Sequence, residues 1–272
     1  MENSSLNHTE NHKTEEKETK RTPIKQRKKE NEVLRFIREH IRYFAAGALV
    51  VVLILVLAMC AKPKGSDSDV VVNANATEST QATEEAYQVD AYESINTLIT
   101  QYYTAYAAGD ITTLSSIATP ISANEQSYIG LFSQYVDEYQ NIKCYTKTGL
   151  DANSYLVSVS MEIKFTGVDT TAPGLDFFYV RTNDDGTLYI DNLYSQYNLA
   201  NQENALDTSV QSLIGQFESE SDVVELQSEV QTRYDEALAA DENLANMIQT
   251  TIPAAIKDWV SQVAAQAATE QT

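Results

Sequence analysis

Residues 155–166 read Tyr155-Leu156-Val157-Ser158-Val159-Ser160-Met161-Glu162-Ile163-Lys164-Phe165-Thr166, and their period is two. Tyr155, Val157, Val159, Met161, Ile163 and Phe165 fall on one side. Leu156, Ser158, Ser160, Glu162, Lys164 and Thr166 fall on the other. Side chains alternate faces along a strand, so the spacing predicts one long strand with an apolar face on a core and a mostly polar face towards water. Leu175 to Thr182 reads as a second strand, bulky on both faces: Phe177 and Tyr179 against Phe178 and Val180. Asp185-Gly186 predicts a hairpin, because a type I′ turn needs positive φ, and Thr187 to Asn192 returns as a third strand. An earlier strand, Asn141 to Thr148, is expected to pair with the long one across the turn from Gly149 to Asn153.

Before these strands the period is near 3.6. Ile95, Leu98, Ile99, Tyr102 and Tyr106 recur at helical spacing, with Asp90 and Glu93 as a capping-box-like start. Gly109 suits the left-handed position that ends a helix. Asp110 caps a short helix, Ile111 to Ile117, and Pro120 follows it. A third helix is expected from Asn124 to Tyr139, with Ile129, Phe132 and Val136 on one side. The fold class is therefore α+β, with helices packed on a curved four-stranded antiparallel sheet.

The order of elements and the segment Tyr102-Tyr103-Thr104-Ala105-Tyr106-Ala107-Ala108-Gly109-Asp110 resemble the nuclear-transport-factor-2-like (SnoaL-like) cone fold. Residues 87–198 are also similar to membrane-anchored ectodomains of clostridial envelope proteins. The resemblance implies a conical cavity between the first helix and the sheet. It does not by itself imply catalysis.

Residues 199–268 read as a C-terminal all-α extension. Leu206, Val210, Leu213, Ile214 and Phe217 form one stripe; Leu226, Val230, Tyr234 and Leu238 form another, after a capping-box-like Asp222 and Glu225. Pro253 opens a last helix carrying Ile256, Trp259, Val260 and Val263. The stripes lack the sustained heptads of a coiled coil. Packing within the chain is expected, with a protein partner bound through these helices as the alternative.

The other end of the chain speaks of a membrane. Tyr43 to Ala61 (YFAAGALVVVLILVLAMCA) carries no charge, and nineteen helical residues span about 28 Å, close to a bilayer's hydrocarbon core. From Lys20 to Arg42 there are nine Lys/Arg and three Glu, and positive flanks stay cytoplasmic. Residues 62–272 hold eight Lys/Arg against thirty-one Asp/Glu, a net charge of −23. The reading is a cell-membrane protein with one span, its N-terminus cytoplasmic and its acidic C-terminal domain extracytoplasmic. Residues 1–30 form a basic tail too polar to fold alone. Residues 31–61 form the juxtamembrane and transmembrane helix, and residues 62–86 a flexible linker. A cleaved signal fits poorly, because a long polar segment precedes the apolar run. Lys28, Lys29, Arg35, Arg38 and Arg42 stand where anionic lipid heads would meet them. Basic residues without interleaved aromatics do not point to nucleic acid.

The chemistry is read mostly by exclusion. His8, His12 and His40 all precede the span, so the ectodomain has no imidazole for a Ser-His-Asp triad or a zinc site. Cys144 is its one thiol, since Cys60 belongs to the apolar run. Asn183-Asp184-Asp185-Gly186 reads as a turn, because a calcium-loop register would put Arg181 where an acid is required. No cofactor, metal or catalytic residue is assigned. Tyr102, Tyr106, Tyr155, Met161, Phe177 and Tyr179 are the candidates to line the cone. Asp176 alternates to the side opposite Phe177 and Tyr179, so the cone is expected to hold no buried acid. The expected function is a non-catalytic, membrane-tethered binding or scaffold module of a bacterial envelope. The alternatives are a scaffold subunit of a conjugation or secretion channel and, less favoured, an enzyme using tyrosine and carboxylate.

Overall fold

The computed structural model describes the backbone of residues 85–270 and the side chains of residues 85–266. The span from Tyr43 to Ala61, its flanking cations and nearly all of the linker lie outside the described residues. Among the described residues, no helix is long and apolar enough to cross a membrane.

In chain order the elements are β1 (Gln88–Val89), α1 (Glu93–Ala108), α2 (Ile111–Ile117), β2 (Ala118–Thr119), α3 (Ala123–Phe132), β3 (Val136–Thr148), β4 (Ser154–Phe165), β5 (Ala172–Thr182), β6 (Leu188–Asp191), α4 (Gln196–Asn201), α5 (Thr208–Phe217), α6 (Ser221–Ala240), α7 (Glu242–Asn246) and α8 (Ile252–Glu270). The class is α+β, as expected. The sheet is not four-stranded and antiparallel, however. It has six strands in the order β1-β3-β4-β5-β6-β2, and β2 runs parallel to β6. The two added strands have two residues each, too short for any periodicity to announce.

Local chemistry explains most boundaries. Gly109 takes φ +64° and its N–H closes on the carbonyls of Ala105 and Tyr106, ending α1 as its missing Cβ allows. Asp110 starts α2 by accepting from Thr113 N and Thr113 Oγ1 at 3.1 and 2.6 Å. Asp90 does not cap α1; that position belongs to Tyr92, which makes no side-chain cap. Asp90 sits at φ +50°, donates its amide to Cys144 O at 2.8 Å and accepts from Cys144 N at 2.8 Å, so it clips the entering chain to β3. The third helix ends at Phe132 rather than Tyr139. A 3₁₀ turn, Ser133–Tyr135, leads straight into β3. Val136 matches the helical stripe of Ile129 and Phe132, while bulges between Val136 and Glu138 and between Gln140 and Lys143 disrupt the two-residue period that would have marked the strand.

The β3–β4 hairpin turns over Gly149 to Asn153, with Thr148 opposite Tyr155. The β5–β6 turn is not type I′. Gly186 N donates to Asn183 O at 2.9 Å and Asn183 N to Thr187 O at 2.8 Å. Gly186 is left-handed at φ +84° and Asp185 is not, which is a type I turn followed by a left-handed glycine.

The central correction concerns β4. Its apolar face joins Phe178 and Val180 of β5 in the main core, under α1 and α3, with α8 behind α3. Its polar face is covered as well: Ser158 is 4% exposed, and Ser160 and Glu162 are buried. α6 lies along β5, and Leu156 and Tyr179 pack with Val210, Phe217 and Val223 from α5 and α6. Ser158 and Glu162 are tolerated there because each finds a partner. Glu162 receives Arg233 of α6 and Thr171 Oγ1, and Ser158 Oγ meets Tyr87 Oη at 2.9 Å. Lys147 of β3, 3% exposed, donates to Glu220 and Asp222 at 2.5 and 2.6 Å and lies 4.6 Å from the Tyr87 ring centroid. Asp222 is thereby a salt-bridge partner, not the cap of α6; the cap position belongs to Glu220. The C-terminal helices thus pack within the chain, and Trp259 of α8 donates to Ser127 Oγ of α3 at 2.9 Å.

Candidate functional site

β6 pairs only with Val180 to Thr182, so the rest of β5 has no strand on that edge. α1, α3 and the segment from Asp191 to Tyr197 close around it and leave a cavity of about 120 Å³. That is well above the ~10–15 Å³ one water needs. Three tyrosines come from successive turns of α1, because 102, 103 and 106 share its sheet-facing side. Tyr128 comes from α3, Tyr139 from β3 and Tyr197 from α4. The rings support one another: Tyr103 and Tyr139 centroids are 4.6 Å apart, Tyr102 and Phe178 5.0 Å, and Tyr102 and Tyr106 5.6 Å. Burial raises the pKa of Tyr102, Tyr103, Tyr106, Tyr128, Tyr139 and Tyr197, so all are neutral phenols at physiological pH.

Three carboxyl groups share this aromatic room. Asp176 stands opposite Val159 in the β4–β5 register, on the same face as Phe178 and therefore on the cavity side. Tyr103 Oη donates to its Oδ2 at 3.4 Å and Phe177 N to its Oδ1 at 2.8 Å. Asp176 is half-buried, and desolvation of its carboxyl pushes its pKa up to about 6, against the pull of those two donors. Glu125, in the first turn of α3 and 6% exposed, receives Asn192 Nδ2 at 2.9 Å on each oxygen. Desolvation raises it to about 7; the Asn192 bond opposes this and the charge of Glu203 adds to it. Asp191 is raised by burial too, while Leu193 N and Arg181, 3.5 Å away, pull the other way. Asp176 and Glu125 are thus carboxyl groups able to hold or release a proton near neutrality, beside neutral hydroxyl donors. This is the equipment of general acid–base chemistry and of proton-linked binding. Among the described residues, no three His, Cys, Asp or Glu side chains converge to hold a metal ion.

Of the residues expected to line a cone, Tyr102, Tyr106 and Met161 meet in the cavity. Phe177 and Tyr179 border it from the other face of β5, where they pack on Phe217 and Tyr194 at 5.5 and 5.2 Å. Tyr155 stands away from it, 5.5 Å from Tyr92. The expectation of a cavity without an acid is overturned by Asp176 and Glu125. Asp176 does alternate with Phe177 and Tyr179, but it is Phe178's side of β5, not Phe177's, that faces the cavity. The signal was present: Asp176 falls across from the apolar stripe of β4. Glu125 carried no such mark, since a glutamate in a helix's first turn normally serves the dipole. The Cys144 thiol is inert, 1% exposed and pushed up to about 12 by burial.

Comparison with protein-family models, with curated proteins and with solved structures finds no match to this chain.

Proposed function

We propose that this chain is a membrane-tethered, extracytoplasmic binding module of a bacterial envelope, with a domain of the nuclear-transport-factor-2-like kind that holds a small ligand in its tyrosine-lined cavity. The supporting observation is the cavity itself: about 120 Å³ kept open among tyrosines whose rings brace one another, with polar groups aimed inward. A domain that only held its neighbours in place would gain stability by filling this space. The uncharged run from Tyr43 to Ala61 and the cations before it support the tether.

A thermal-shift screen of small molecules tests the reading on the full chain in mild detergent. The Tyr106→Trp variant, which fills the cavity, is run alongside. Ligands that stabilise the native protein and not the variant support it; ligands that stabilise both equally remove it. For the tether, protease added to intact cells should digest the acidic domain and spare the basic tail. The opposite pattern overturns the topology.

One observation favours a second reading, an acid–base enzyme: Asp176 within 3.4 Å of the Tyr103 hydroxyl, in a site whose carboxyl pKa is pushed to about 6. It requires a turnover that Asp176→Asn abolishes while the protein stays folded.

A further inference from the structure

We propose that the cavity selects a small organic cation, an amine or a quaternary ammonium, and that Asp176 and Glu125 supply its counter-charge. This rests on the reading of the cavity as a ligand site and names the class of ligand.

The first argument is the charge of the walls. Asp176, Glu125 and Asp191 line the cavity, and no lysine or arginine does. Arg181, beside Asp191 of the lining, is 46% exposed and engaged with that carboxylate. An anion entering here would be desolvated beside carboxyl groups with nothing to pair it. The second argument is aromatic. A cation held against tyrosine rings gains about 0.5–2 kcal/mol, more as water is excluded. The hydroxyls of Tyr102, Tyr106, Tyr128 and Tyr139 make no hydrogen bond among the described residues, and none is a sealed, unpartnered atom. All four residues line the cavity. The third is size, which admits a ligand of only a few heavy atoms. The acidic domain around it, at −23 over residues 62–272, concentrates cations at the entrance.

The two carboxyl groups also couple binding to protons. Tyr103, Tyr102 and Tyr139 face Asp176, with Phe177 N on its other oxygen. Asn192 and Ser122 bond Glu125 or its backbone, and Glu203, Tyr102, Tyr106 and Tyr197 feel its charge. None of these neighbours is a cation. The empty site therefore retains protons that an arriving ammonium displaces, and affinity rises with pH. With Asp176 near 6 having to ionise, the gain from pH 5 to pH 8 is at least about tenfold, and the ionisation of Glu125, near 7, adds to it.

Calorimetry on the full chain in non-ionic detergent decides it, with four probes: tetramethylammonium, choline, the neutral carbon isostere of choline (dimethylbutanol) and pivalate. The expected result is saturable binding of the two ammonium ions, at least about tenfold tighter at pH 8 than at pH 5. Heats in buffers of different ionisation enthalpy should show proton release. Asp176→Asn and Glu125→Gln should each weaken choline at least threefold at pH 8. If the isostere or pivalate binds as well as choline, the cation proposal fails while the binding-module reading stands. Choline binding unaltered in both variants also overturns the proposal. If no probe binds and the small-molecule screen finds no ligand sensitive to Tyr106→Trp, both readings fall together.

Discussion

Replacing Asp176 by asparagine should stabilise this protein, and only above mild acidity. The carboxyl's folded pKa is about 6, against an ordinary value of 3.8. A raised carboxyl pKa means that the native state binds the proton more firmly than the unfolded chain. The associated stability is fully present below about 4 and is lost as pH rises through about 6. Two units correspond to roughly 3 kcal/mol at about 1.4 kcal/mol each. Water in the cavity screens part of this, so about 1–2 kcal/mol is the working figure. Asparagine keeps an acceptor for Tyr103 and for Phe177 N and never ionises. At pH 8 the variant should therefore melt about 2–8 °C above the native chain, taking about 2–4 °C per kcal/mol for a domain of this size. At about pH 3, below the ordinary value, the two should nearly coincide. Glu125, pushed to about 7, titrates in both proteins and cancels from the difference. Thermal unfolding followed by circular dichroism at half-unit pH steps measures the gap. A gap that stays constant with pH, or a variant less stable at pH 8, would refute the burial argument for Asp176.

Other positions give independent checks. Lys147→Ala removes the cation shared by Glu220 and Asp222 and its contact with Tyr87. Because those carboxylates are partly exposed and can rehydrate, the cost should be about 2–3 kcal/mol, below the 3–5 of a sealed pair, read as a lower urea midpoint. Gln227 is 3% exposed and its Nε2 has no partner among the described residues, so Gln227→Leu should be neutral or stabilising by up to about 1 kcal/mol in the same assay. A Cβ at Gly149 would stand 2.7 Å from the backbone carbon of Ser154, whereas one at Gly130 in α3 would meet nothing within 4 Å. Gly149→Ala should cost about 1–3 kcal/mol by forcing the β3–β4 hairpin apart, and Gly130→Ala should gain about 0.5–1. In a Cys60→Ser background, Cys144 should resist a thiol reagent at pH 8 until denaturant is added. Prompt labelling would contradict its burial.

Periodicity carried the sheet's centre and the first two helices into view, because those elements bury one consistent face. It failed where a second layer reinterprets the pattern. Ser158, Ser160 and Glu162 look like a wet face, and alternation cannot tell water from a helix that brings Arg233 to meet Glu162. For β5, bulky on both sides, parity placed Asp176 opposite Phe177 without saying which side was hollow. That depended on β6 pairing no further along β5 than Val180 and leaving an edge for α1, α3 and α4 to enclose. Glu125 and Asn192 lie 67 positions apart, and no local rule joins them.

The clip at the start of the fold has a mechanical consequence. Tension applied from residue 85 onwards enters through Glu85 on Thr148, the amide of Tyr87 on Asp222, the two-residue pairing of β1 and the Asp90–Cys144 exchange. The Tyr87 side chain adds its hydroxyl on Ser158 and its ring beside Lys147, Tyr145 and Phe217, and all of these fastenings precede α1. A pull on that end would peel Glu85 through Asp90 from the rim first, paying out several residues as slack before any force reached the helix that carries Tyr102, Tyr103 and Tyr106.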